Sequence, residues 1–165
     1  MCLVGAVIDR DGVVSYDDLG HRWVSLHDLA ADYWRWQRLS EQAKQEDEMA
    51  AWSCVDDLMR TPVPQALDVI QALLDLAETD QELCNVGAGP LEDLLSHFGH
   101  GEQFVAEVER RGGRDPRLRK ALACLYLGDD VPIDVRARLE PPSRWDDFEP
   151  PAPGRDVDAD AHSPR

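Results

Sequence analysis

Pro64-Gln-Ala-Leu-Asp-Val-Ile-Gln-Ala-Leu-Leu-Asp-Leu-Ala77 is the stretch from which the fold is read. Leu67, Ile70, Leu74 and Ala77 recur at helical spacing along one face, and Ala66, Val69, Leu73 and Leu76 along the adjoining one. A helix apolar over so wide an arc loses its stabilising burial on a surface, so the stretch predicts a central helix packed on several sides. Pro64 suits its first turn, where a missing backbone N–H costs no helical hydrogen bond.

Helical signals continue on both sides. Upstream, Ser25-Leu-His-Asp28 has capping-box spacing, with Asp in place of Glu or Gln. Leu26, Leu29, Ala30, Tyr33 and Trp36 or Gln37 follow it on one stripe, and Ala51, Cys54, Val55, Leu58 and Met59 make another. Residues 41–48 between them are polar, which predicts two helices broken near residues 45–47, because a small core cannot cover one long rod. Downstream, Thr79-Asp-Gln-Glu82 is a second capping box. Gly89-Pro90 predicts the start of a helix that stops at Gly99. Phe104, Val105 and Val108 mark the next, closed by Gly112-Gly113. Asp115-Pro116 opens another, with Leu118, Ala121, Leu122 and Leu125 inward and Gly128 as its stop; residues 130–139 give a last short helix.

The fold class that follows is all-α: a compact bundle, or a short α-solenoid-like stack, of about six or seven helices. Pro64, Pro90 and Pro116 recur at a 26-residue interval, which hints at the stack, but the residues after each proline align poorly. Residues 2–8 and 13–16 are β-branched runs joined by Asp9-Arg10-Asp11-Gly12, predicting an N-terminal hairpin within residues 1–20. Residues 1–140 read as a single helical domain. Six of the 11 prolines fall in residues 141–165, which read as a Pro/Asp-rich disordered tail. Trp145 and Phe148 are expected to fold back from it or to dock elsewhere.

Charge excludes more than it identifies. The 33 acidic and 17 basic residues leave a net charge of −16, so approach to nucleic acid or an anionic membrane is uphill, whereas a basic protein is attracted. Fifteen of the basic residues are Arg and only Lys44 and Lys120 are Lys, a bias expected of high-GC bacterial coding. Residues 61–109 contain ten acidic side chains and no Lys or Arg, and residues 110–120 then hold six basic ones. Two readings stand: neutralisation within the molecule, or an acidic face that docks a basic partner, with Glu82, Glu92 and Glu102 as its candidate contact residues. The four cysteines are scattered without metal-ligand spacing, and Cys54 and Cys124 sit in apolar helical patterns as expected of buried thiols. With no secretory signal and no apolar run long enough to span a bilayer, a cytoplasmic location is expected.

No catalytic or cofactor motif is present, so no cofactor is expected. Asp93 lies one turn before His97, and His100 follows Gly99; these three, with Glu92, are the candidate ligands of a metal-dependent alternative, although His-x-x-His across a helix stop does not fix a geometry. Asp17-Asp18, Asp56-Asp57 and Asp129-Asp130 are adjacent carboxylates, which point different ways in regular structure. No serine lies in Gly-x-Ser-x-Gly, and the proline of Gly87-Ala-Gly-Pro90 removes an amide that an anion site would use. Trp34 and Trp36 are about 200° apart on a helix, so both cannot face one core. One of them meets another element or lies exposed as an interface anchor.

Ser25-Leu-His-Asp-Leu-Ala30, Trp52-x-x-Val-Asp-Asp-Leu58, Gly87-Ala-Gly-Pro-Leu-Glu-Asp-Leu-Leu95 and Arg114-Asp-Pro-Arg-Leu-Arg-Lys-Ala-Leu122 together resemble a bacterial family of uncharacterised proteins, a domain of unknown function. The glycine-proline motif is the most specific of them. The resemblance implies a helical fold from Ser25 to about Leu139 and carries no activity with it. The expected function is a non-catalytic acidic interaction module, such as an immunity- or antitoxin-like inhibitor or an adaptor that binds a basic protein. The alternatives are a small metal- or carboxylate-dependent enzyme and a DNA mimic.

Overall fold

A computed structural model describes residues 5–16, 20–46, 49–61 and 63–139. Three short strands come first: β1 (Val7–Ile8), β2 (Val14–Tyr16) and β3 (His21–Trp23). The helices α1 (Leu26–Gln37), α2 (Glu41–Glu46), α3 (Ala50–Arg60), α4 (Ala66–Leu76) and α5 (Asp80–Val86) follow. Two π-helical segments, Gly87–Leu91 and Asp93–His97, then lead to α6 (Gly101–Gly112), α7 (Pro116–Ala123) and α8 (Ile133–Leu139). The protein is mostly helical, as its periodicity predicts.

The central helix is α4, which buries Ala66, Leu67, Val69, Ile70, Leu73 and Leu74. α1 lies along it, and the buried Trp34 indole Nε1 donates to the Leu73 carbonyl oxygen at 2.9 Å. One continuous core extends from Val14 to Leu139. Side chains cap the helix starts as their sequence predicts. The Asp28 amide donates to Ser25 Oγ at 3.1 Å. Thr79 and Glu82 bond each other's backbone amides in a full capping box. The Arg117 amide donates to Asp115 Oδ1 ahead of the first-turn Pro116. Each bond satisfies an amide that has no helical partner.

Several boundaries differ from expectation. The segment read as two helices holds three, because α1 already ends at Gln37 and residues 41–46 form α2. Ser40 Oγ accepts the Ala43 amide there, and Arg38 leaves the helix to meet Glu78 and Glu82. Of the expected break near residues 45–47, residues 45 and 46 belong to α2, and residue 47 lies outside those described. Pro64 lies in the turn before α4. Gly89-Pro90 starts no new helix: the chain stays helical from α5 to His97, with a kink at Gly89 (φ −128°, ψ −106°). Pro90 donates no amide, and π-helical turns absorb the interrupted ladder. Gly99 ends this run in a left-handed conformation, φ +73°, as expected of a stop. Of the three prolines spaced at 26 residues, only Pro116 opens a helix, so their interval marks no repeat.

α7 ends at Ala123, five residues before the expected stop at Gly128. The next residue, Cys124, is disulfide-bonded to Cys84 of α5, with the Cα atoms 5.2 Å apart. Cys124 is therefore not the buried thiol expected of it, whereas Cys54 does keep a buried thiol. The N-terminal hairpin is part of a three-stranded antiparallel sheet in the order β1-β2-β3, with Ser15 opposite both Val7 and Arg22. β3 docks the sheet on α1, where Trp23 Nε1 donates to Asp32 Oδ2 at 3.2 Å. Residues 2–4 of the expected hairpin, and the expected tail with Trp145 and Phe148, lie outside the described residues. No described helix is long and apolar enough to cross a membrane.

Candidate functional site

Most of the acidic segment is neutralised within the molecule. Of its ten carboxylates, six form ion pairs among the described residues. Asp68 meets Arg111, Glu78 and Glu82 meet Arg38, Asp80 meets Lys120, Glu107 meets Arg110 and Arg111, and Glu109 meets Arg138. Arg117 donates instead to the carbonyls of Leu74 and Ala77 at the end of α4, and Arg119 to that of Gly112. These carbonyls lie at the C-terminal ends of α4 and α6, and that of Leu74 also takes the Ala77 amide at 3.2 Å, so the basic cluster caps helix ends as well as pairing charge.

This distribution changes the candidates. Glu82, expected on a docking face, is occupied by its capping box and by Arg38 at 2.8 Å; the guanidinium hydrogen bond holds its carboxyl below the usual glutamate value. Glu92 is half-buried and accepts the Tyr126 amide at 3.3 Å, and burial raises its pKa. Glu102 is exposed on α6 and has no ion pair among the described residues. Trp34, expected as a possible anchor, is buried in the core. Trp36 is half-buried, tilts against Trp52 at 6.4 Å between ring centroids and lies under the Lys44 ammonium at 5.2 Å. The metal candidates diverge: His100 Nε2 sits 3.0 Å from the Arg60 carbonyl oxygen, and exposed His97 packs edge-on against Phe98. Among the described residues, no group of three His, Cys, Asp or Glu side chains gathers to hold a metal ion.

A different constellation surrounds a cleft of about 260 Å³ in front of the Gly89 kink. α1 contributes Tyr33 and Gln37, α3 contributes Trp52 and Asp56, the last turn of α5 contributes Asn85, and the π-helical run adds Pro90 and Asp93. Local folding explains the convergence. The kink turns the chain after Asn85 so that Asp93 comes back beside α3, where Asp56 stands one turn beyond Trp52. Ala88 is exposed at the rim, whereas Gly87 faces away and packs on α7.

Asp93 has no hydrogen bond or ion pair within 4 Å among the described residues, and it is half-buried. Burial first, and the Asp56 charge second, raise its pKa; His97 and Arg60 lower it only in part. A raised carboxyl pKa means that the folded state holds the proton more tightly than the unfolded one. Asp93 therefore favours folding at low pH, and that contribution is lost as pH rises from the ordinary aspartate range through the raised value. Asp56 is engaged through one oxygen by Arg60 at 2.9 Å. Tyr33 is almost wholly buried, its hydroxyl accepts from Gln37 Nε2 at 3.1 Å, and burial pushes its pKa up to about 12. A second cleft, of about 280 Å³, lies between residues 77–83 and α7, but its charged Asp80, Arg117 and Lys120 are already paired.

Sequence reasoning discounted Asp56 because its neighbour Asp57 points elsewhere. That geometry holds within one helix; the convergence of Asp56 with Asp93 is between two helices and has no local signature. A usable signal existed nonetheless, since the Trp52-Asp56 and Gly87–Leu95 stretches both belong to the family resemblance.

No significant match is found among curated proteins or among solved structures. Residues 40–144 match the profile of a family of unknown function, DUF6869, so that motif 25–30 falls outside the matched span while both cleft-forming stretches fall inside it, and the chain belongs to that family.

Proposed function

We propose that the protein is a non-catalytic interaction module that docks a basic partner protein at the Asp56–Asp93 cleft, in the manner of an inhibitor or adaptor. One observation carries the reading: most of the acidic segment is paired internally, yet Asp93 keeps a half-buried, unpaired carboxylate at a cleft with an exposed tryptophan edge. Such a group costs stability, because its desolvation is not repaid by a partner within the molecule. A cation supplied by another protein would repay it. The surrounding net charge of −16 would also steer a basic partner to the surface. The DNA-mimic alternative has less support, since a mimic needs its carboxylates free.

The test is affinity capture with the full chain, at low and high salt, beside a variant carrying Asp56→Asn and Asp93→Asn. The expected partner is basic, is released by salt, and is held at least about tenfold more weakly by the variant, as for lost charge-assisted hydrogen bonds. A neutral or acidic partner retained at high salt would overturn the reading. The carboxylate-dependent enzyme is a second reading, favoured by the raised proton affinity of Asp93 in a cleft. Under it, Asp93→Asn leaves partner capture unchanged.

A further inference from the structure

We infer that the cleft takes the side chain of a single peptide arginine, with Asp93 and Asp56 receiving the guanidinium, Trp52 flanking it and Tyr33 donating to a carbonyl of the same residue. This rests on the docking reading above and narrows it to one side chain. Size is the first argument: about 260 Å³ is smaller than the roughly 300–1,000 Å³ that holds a drug-sized ligand, and suits one long side chain.

Chemistry is the second. Asp93 presents a carboxylate with no hydrogen-bond donor among the described residues, and Asp56 has one oxygen outside its bond to Arg60. The open side of the cleft is therefore an acceptor site. A guanidinium offers five N–H donors in a plane and sheds water more easily than an ammonium, so it matches two carboxylates beside an aromatic wall better than lysine does. Trp52 is 36% exposed and is backed by Trp36, so its ring is presented without being loose. The molecule already uses the same pairing next door, where the Arg60 guanidinium binds Asp56 and lies 4.6 Å from the Phe98 ring centroid.

Tyr33 supplies an independent argument that does not depend on acidity. It is only 3% exposed and lines the cleft, and Gln37 donates to its oxygen, so its own proton has no acceptor among the described residues. A nearly buried donor without an acceptor calls for a ligand carbonyl. A peptide arginine carries both a cation and a carbonyl; a free guanidinium or a polyamine carries only the cation.

The experiment follows the Trp52 indole NMR signal, identified with Trp52→Phe, while the full chain is titrated with N-acetyl-arginine amide. N-acetyl-citrulline amide, N-acetyl-lysine amide and methylguanidinium serve as comparisons. Arginine amide is expected to bind saturably, with citrulline, its neutral near-isostere, at least about tenfold weaker. Asp93→Asn should weaken arginine by a similar factor, and Ala88→Leu, which adds bulk from the exposed rim, should block it. Tyr33→Phe should weaken arginine amide and leave methylguanidinium unchanged. Equal binding of citrulline and arginine, or arginine binding indifferent to Asp93→Asn and Ala88→Leu, would overturn the inference. The two proposals fail separately. Capture of a basic partner that Ala88→Leu does not disturb removes the arginine site and leaves the docking reading. Arginine binding in the cleft by a chain that captures only neutral partners removes the docking reading instead.

Discussion

Gly87→Ala is expected to destabilise the protein by about 3 kcal/mol, the upper part of the usual range for overpacking a core. The change adds one methyl group, but there is no room for it. A Cβ at Gly87 would lie 2.0 Å from the carbonyl oxygen of Ala121 and 2.8 Å from its carbonyl carbon. Those are backbone atoms inside α7, so no side-chain rotation relieves the clash. α5 would have to move away from α7, to which the Cys84–Cys124 bond ties it. Ala88→Leu makes the contrast, because it adds more carbon at the next residue, which is exposed. It should change stability by no more than about 0.5 kcal/mol. Urea unfolding of both variants checks this: Gly87→Ala should lower the midpoint with the slope unchanged. A neutral Gly87→Ala would mean that α5 and α7 do not approach as described.

Trp34→Ala should cost about 3–5 kcal/mol, as for other large-to-small core truncations of an aromatic residue. Trp34 is 2% exposed, packs edge-on against Tyr33 and joins α1 to α4 through the Leu73 carbonyl. Its removal leaves a cavity at the contact between the two helices that organise the core. Trp36→Ala, two residues along, should cost about 1 kcal/mol, because its ring is half-buried and its Nε1 has no hydrogen-bond partner among the described residues to lose. Thermal unfolding of the two variants separates them. Equal losses would contradict the division of the tryptophans between core and rim.

That division was half legible. The 3.6-residue period places Trp34 and Trp36 on opposite sides of α1, but both positions are aromatic and the period alone does not say which side is the core. α4 was readable because its apolar arc is wide, and the helix starts at Ser25, Thr79 and Asp115 because capping is a local contact of two or three residues. β3 was not: His21-Arg22-Trp23 has one apolar side chain in three residues and is held by pairing to β2 and by Trp23 on Asp32. The pairing of Cys124 with Cys84, 40 residues away, is likewise encoded by no local pattern. The π-helical run was hidden for a related reason, since Gly-Pro signals a break and the chain keeps its helical course through tertiary packing.

The acidic segment shows the same limit. Composition marks residues 61–109 as a charged surface, whereas the partners that neutralise it come from Arg38 just after α1 and from α6, α7 and α8. Only after those pairs are assigned does the unpaired remainder stand out at Asp93. Its other participants, Asp56, Asn85, Trp52 and Tyr33, are each unremarkable within their own helices. A site assembled from four segments around a kink has no sequence period.

The NMR titration of the Asp93 side-chain carboxyl, alongside that of Glu82, tests most directly whether the cleft keeps an uncompensated half-buried charge while most of the acidic segment is paired. Asp93 should titrate above the ordinary aspartate value, from burial and the Asp56 charge, and Glu82 below the ordinary glutamate value, from its bond to Arg38. The stability contribution of Asp93 should then fall away as pH rises through its midpoint, and that of Glu82 as pH falls through its own. An Asp93 midpoint at or below the ordinary value would show that a cation within the molecule, such as Arg60, already satisfies it, and the cleft would have no charge left for a partner.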